Sequence, residues 1–147
     1  MYRESWCLTW LLLAPNLKAL EIDSLNQVED IISKEKAVNI LTEEEAGTII
    51  PFWKLEFFQV CGLPKLKSIY WIPLPFPRLR EFSIYNCPNL RKLPLDSRSG
   101  GSIDLAVHNG EQYYRDEVEW EDEATKERFL RCINPNSLYR ATTSFQN

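Results

Sequence analysis

The chain has 147 residues, of which 44% are apolar, 26% charged and 12% aromatic, a globular profile for one domain's length of polypeptide. Its formal net charge of −4 argues against non-specific nucleic-acid binding as a main task. Four cysteines, Cys7, Cys61, Cys87 and Cys132, lie far apart with no Cys-x-x-Cys spacing, and read as reduced thiols rather than a disulfide framework.

Taken from the N-terminus, the first feature is an uncharged run, "WCLTWLLLA" (6–14). It is too short to span a bilayer and has the look of a signal-peptide core. The following residues give it another meaning. Leu17, Leu20, Ile22, Leu25, Val28 and Ile31 stand at offsets 0, 3, 5, 8, 11 and 14. The same offsets select Leu55, Phe58, Val60, Leu63, Leu66 and Ile69, and again Leu79, Phe82, Ile84, Cys87, Leu90 and Leu93. Three perfect matches identify an internal repeat whose anchors Leu55 and Leu79 lie 24 residues apart. Leu8 fits the last offset of an earlier unit, so the apolar run is the return limb of a partial repeat rather than an export signal.

The expected organisation is a partial repeat over 1–14, full repeats over about 15–32, 53–70 and 77–94, and an acidic, polar insertion over 33–50. Repeats then fill 1–95, a capping segment 96–133, and a flexible tail 134–147. The fold class is α/β: a leucine-rich repeat solenoid with short parallel strands on one face, irregular or short helical return limbs, and a C-terminal helical cap. The strands centre on stretches such as "EFSIY" (81–85), where alternation points Phe82 and Ile84 inward and leaves Glu81, Ser83 and Tyr85 on the open side. By the same register Ala19, Glu21 and Asp23, then Phe57, Gln59 and Cys61, face outward. Glu21, Asp23, Phe57, Gln59, Glu81, Ser83 and Tyr85 form the expected protein-binding face, with Phe57 and Tyr85 as exposed aromatic anchors.

Beyond Pro94 the pattern stops. "DSRSGGS" (96–102) reads as a loop and "IDLAV" (103–107) as one further short strand. Tyr114, Val118, Thr125 and Phe129 suggest a helical face, with a helix start at Asp122. Glu117, Glu119, Glu121, Asp122 and Glu123 belong to a wet face of that cap, since no defined ligand geometry makes them a metal site. Catalysis has little support: the sole histidine, His108, sits in a loop-like "VHNG" with no serine or cysteine partner, and Cys87 is a packing residue. The chain carries charge in blocks, net −6 over 21–45, +5 over 63–98 and −5 over 111–128, read as solvated faces.

"LTWLLLAPNLKALEI", "VEDIISKEKA", "PFWKLEFFQVCGLPKLKSIYWIPLPFPRLREFSIYNCPNLRKLPLDS" and "VEWEDEATKERFL" together resemble the C-terminal leucine-rich repeats of plant coiled-coil-type nucleotide-binding (NB-ARC) disease-resistance proteins. The resemblance implies the recognition module of an intracellular immune receptor, non-enzymatic, sensing pathogen effectors or modified host proteins and restraining a nucleotide-binding switch. Its implied partners are an effector, a guarded host protein or the receptor's own nucleotide-binding domain, and its implied location is the cytoplasm or the periphery of the plasma membrane. No nucleic acid, metal or cofactor is implied for this stretch. ATP or ADP belongs to the nucleotide-binding domain, whose Gly-x-x-x-x-Gly-Lys-[Ser/Thr] loop is missing from these residues. The stretch therefore reads as a fragment, a truncated product or the last piece of a larger receptor. The alternatives are a leucine-rich repeat substrate adaptor of the ubiquitin system, or a stand-alone truncated regulator or decoy with no signalling module.

Overall fold

A computed structural model describes residues 8–41, 49–109, 112–113 and 118–132. The expected tail (134–147), the middle of the insertion (42–48), Tyr114 and Glu117 lie outside the described residues.

The first three strands arise where an apolar-alternating pentapeptide follows a turn. β1 (Ala19–Asp23), β2 (Phe57–Cys61), β3 (Glu81–Tyr85) and β4 (Asp104–Asn109) run parallel, and β5 (Gln112–Tyr113) returns antiparallel beside β4. The sheet order is the chain order, β1 to β5. Register is maintained residue for residue: Leu20 opposes Phe58, which opposes Phe82, which opposes Leu105, and Ile22, Val60, Ile84 and Val107 form the next row. The expected "IDLAV" strand is therefore β4, in step with the repeats. Its unit departs from the offsets in sequence at Ser102, Gly110 and Asp116; at offset 0 Ser102 is exposed and neighbouring Ile103 is the buried residue.

All six offset positions of the second and third repeats are buried. The first repeat departs from the pattern. Leu17 and Leu20 are half-buried and Leu25 is 36% exposed, because among the described residues β1 has a neighbouring strand on one side only. Burial of a repeat position depends on the adjacent unit as much as on the residue.

A second backbone ladder joins the return limbs. The Leu8 N–H donates to Ile31 O, the Ile31 N–H to Ser68 O, and the Ile32 N–H to Ile69 O. Isolated bridges pair Asp30 with Ser68 and Lys92 with Glu119. Leu8 thus continues the return-limb ladder, as its offset predicts.

Two backbone features recur with the repeat. Ser24, Gly62 and Asn86 have positive φ at the corners after β1, β2 and β3, and Phe52, Phe76 and Gly100, spaced by 24, have it at the corners before β2, β3 and β4. The left-handed region is costly for a phenylalanine. Here burial compensates: Phe52 stacks on Phe76 at 5.9 Å and Phe58 on Phe82 at 4.9 Å between centroids, and tilted contacts Phe52–Phe58 and Phe76–Phe82 join the two pairs into one aromatic column.

Among the described residues two α-helices flank the sheet. The insertion begins with α1 (Lys34–Ile40), capped where the Lys36 N–H donates to Ser33 Oγ, and Ala37 and Leu41 on its inner side are buried. Part of the polar excursion is thus an amphipathic helix. At the far end α2 (Glu123–Cys132) starts at Asp122, whose carboxylate accepts bonds from the Thr125 N–H and Oγ1. Of its expected apolar face, Thr125 and Phe129 are buried on α2, whereas Val118 is buried one segment earlier, beside the Lys92–Glu119 bridge. Phe129 stacks on Trp120, and the Arg128 guanidinium donates to the carbonyls of Ser97, Gly100 and Gly101, fixing the loop before β4 to the helix.

Candidate protein-binding face

Strand alternation places the outward residues in rows across the sheet. One row runs Ala19, Phe57, Glu81, Asp104; the next Glu21, Gln59, Ser83, Ala106; the third pairs Asp23 with Cys61, Tyr85 and His108. All seven sequence-predicted face residues therefore share one surface. Their exposure is uneven. Glu21 and Asp23 on β1 are exposed and Phe57 is 42% exposed, while Gln59, Glu81, Ser83 and Tyr85 are half-buried. Tyr85 was expected as an exposed anchor; it is half-buried, so Phe57 is the more open aromatic.

The strand β4 adds positions that the offset pattern does not select. Asp104 is exposed, Ala106 is 2% exposed despite its outward register, and His108 pairs with Tyr113 in the β4–β5 hairpin rather than lying in a loop. The signals were a period-2 apolar pattern in "IDLAV" and the Asn-Gly turn dipeptide after it.

Electrostatically this face is acidic. Burial, with the Asp23 and Glu21 carboxylates adding to it, pushes the Cys61 thiol up from its ordinary range. Behind the strand Cys87 is fully buried, and burial raises its thiol to about 11. A thiol held in that state is a poor nucleophile. Neither Cys61 nor Cys87 is joined in a disulfide. Among the described residues no group of three or more His, Cys, Asp or Glu is arranged to hold a metal ion. Among them, too, no helix is long and apolar enough to cross a membrane.

The polar contacts between units follow the register. Lys54 Nζ donates to Asn16 Oδ1 and Lys65 Nζ to Gln27 Oε1, each pair separated by the 38 residues that separate β1 from β2. On the return limbs Glu29 pairs with Lys67 at 3.3 Å and Glu121 with Lys92 at 3.2 Å.

Comparison with known proteins accords with this repeat. The family described as "Plant disease resistance protein RPS2-like, leucine-rich repeats" matches residues 6–95. The "Probable disease resistance protein At4g14610" of Arabidopsis thaliana is 54% identical over 135 residues, covering 90% of this chain and 18% of that protein. The Arabidopsis thaliana "Disease resistance protein UNI" and "Disease resistance protein RPS5" are each 48% identical, covering 90% of this chain and 14% of their own length. The chain thus spans less than a fifth of the length of these curated relatives. No solved structure matches it. With the matched family covering both the repeats and the strands they form, the chain belongs to the leucine-rich repeats of the RPS2-like plant disease resistance proteins.

Proposed function

We propose that this chain is the protein-recognition module of a plant immune receptor, and that its partner docks on the outward rows of β1–β3. The observation that carries the reading is the register itself, which gathers Glu21, Asp23, Phe57, Gln59, Glu81, Ser83 and Tyr85 on one sheet face with an open aromatic among them. Aromatic anchors ringed by polar groups are the composition of protein interfaces. The partner in this reading is a pathogen effector, a guarded host protein, or a nucleotide-binding domain that the repeats restrain until activation. Catalysis plays no part in it, and ATP or ADP belongs to the nucleotide-binding domain. The setting is the cytoplasm or its plasma-membrane periphery.

The same reading takes the stacked units as a solenoid and α2 as its cap. Phe129 on α2 is buried, and a polar helix over a last apolar unit keeps the end of a repeat array in solution. The expected division puts repeats over 1–95 and a cap over 96–133; in this reading β4, in register with β3, extends the repeat sheet, and α2 is the cap that packs against it.

The test is the paired substitution Phe57→Ala and Tyr85→Ala in a full-length receptor containing this region. Partner binding is expected to weaken at least tenfold, since truncating an interface anchor costs about 2 kcal/mol or more. Circular dichroism of the isolated chain should be unchanged. Unaltered effector-triggered and autoinhibitory behaviour in that receptor would remove the face from consideration.

A further inference from the structure

The outward register positions of β1–β4 hold four carboxylates, Glu21, Asp23, Glu81 and Asp104, and no lysine or arginine. The chain has 17 basic residues, all placed elsewhere. The pairing of acids also differs between the two sides of the repeats. On the return limbs Glu29 and Glu121 are matched to lysines of neighbouring units. On the strand face, among the described residues, none of the four carboxylates meets a lysine or arginine in an ion pair; Asp23 accepts only the Ser24 hydroxyl at 2.7 Å.

The spacing separates two kinds of cationic ligand. With strands about 4.8 Å apart, the carboxylates on β1 and β4 are spread over roughly 14 Å. A single metal ion needs its oxygens converging within about 2.6 Å of one point, and the described residues offer no such group. A spread of this size instead suits several separate cations carried along a polypeptide, and the open Phe57 ring offers their apolar stems, or an arginine plane, something to lie on.

The geometry points to a cationic polypeptide segment, rich in lysine or arginine and carrying apolar residues, as the occupant of this sheet face. This inference rests on the reading of the strand face as the recognition surface and gives that surface its partner chemistry. The acidic rows steer such a segment and fix its orientation, while Phe57 supplies the apolar contact.

The experiment is fluorescence anisotropy on the full chain with a labelled dodecapeptide of Arg, Lys and Leu, and with its Glu, Asp and Leu counterpart. The cationic peptide is expected to bind, and to bind less tightly as salt rises from 50 to 300 mM. The pairs Glu21→Gln with Asp23→Asn, and Glu81→Gln with Asp104→Asn, should each weaken it roughly three- to tenfold. Glu35→Gln with Glu127→Gln, which changes net charge equally away from the strands, should leave binding unchanged. Circular dichroism confirms that each variant is folded, and single substitutions replace any pair that is not. Absence of binding, equal binding of the anionic peptide, or equal weakening by the control pair would overturn the inference. If the strand-face neutralisations leave capture of the natural partner intact while Phe57→Ala and Tyr85→Ala reduce it, the face remains the recognition surface but its occupant is not cationic. If neither set matters, the recognition reading itself falls.

Discussion

Cys87 shows how far one residue's role depends on its place in the unit. It stands at offset 8, where Leu63 stands in the preceding repeat, and both are fully buried. Its thiol, pushed by burial from 9.0 to about 11, stays protonated in the folded chain at pH values where an unfolded chain would release the proton. The contribution is complete below about pH 9 and is lost as pH rises towards 11, by an amount on the order of 2–3 kcal/mol. Urea titrations at pH 8 and 10.5 should show a steeper alkaline loss for the wild type than for Cys87→Ala. Identical pH slopes in the two proteins would show that the thiol does not titrate in this way. The inward placement of Cys87, Phe82 and Ile84 was legible in the sequence because strand alternation is geometric. The half-buried state of Tyr85 was not, because alternation gives the side of the sheet a residue faces and not how far its neighbours cover it.

At the scale of elements, the corners between strands carry information that the apolar offsets miss. Phe52, Phe76 and Gly100 occupy equivalent left-handed corners, and the sequence signal was the recurring "PF" ahead of the first two anchors. The glycine is needed for two reasons at once. A Cβ at Gly100 would lie 2.5 Å from Ile103 Cδ1, whereas one at Gly62 would meet nothing nearer than 3.6 Å. Gly62→Ala should therefore cost about 1 kcal/mol for its backbone alone, and Gly100→Ala more than that. Chemical denaturation of the two variants checks the order, and a milder effect at Gly100 would contradict it. α1 escaped the sequence reading because its apolar signal is short: Ala37 and Leu41, four apart behind the Ser33 cap, are easily lost in an acidic stretch. The strand of β4 was legible, but its membership of the repeat was hidden by Ser102, Gly110 and Asp116 at offsets 0, 8 and 14, where its two predecessors are apolar.

For the whole molecule, stability is set by neighbours in a row. β2 and β3 each have a strand on both sides, whereas among the described residues nothing pairs with the outer edge of β1. Leu17, Leu20 and Leu25 are left partly open there. In a linear array an end unit opens before an interior one. Hydrogen exchange on the isolated chain should find the amides of β1 least protected and those of β3 most protected. Fusing one further repeat ahead of Leu8 should raise the melting temperature and slow exchange in β1. Protection in β1 equal to that in β3 would show that the first unit needs no neighbour.

The two ladders that join the units have a consequence for how such a chain can diverge. One holds the strands and the other the return limbs, so each unit is pinned at both, and the crossing from the second pin to the next strand is where the length of the unit varies. The 38-residue step from β1 to β2 and the 24-residue step from β2 to β3 give identical strand register, because the extra length enters within that span. Insertions and deletions there are invisible to the rows of outward side chains. A lineage can lengthen or shorten those crossings codon by codon while its ligand-reading alphabet stays aligned, and can reshape the flank of the molecule without respelling its face.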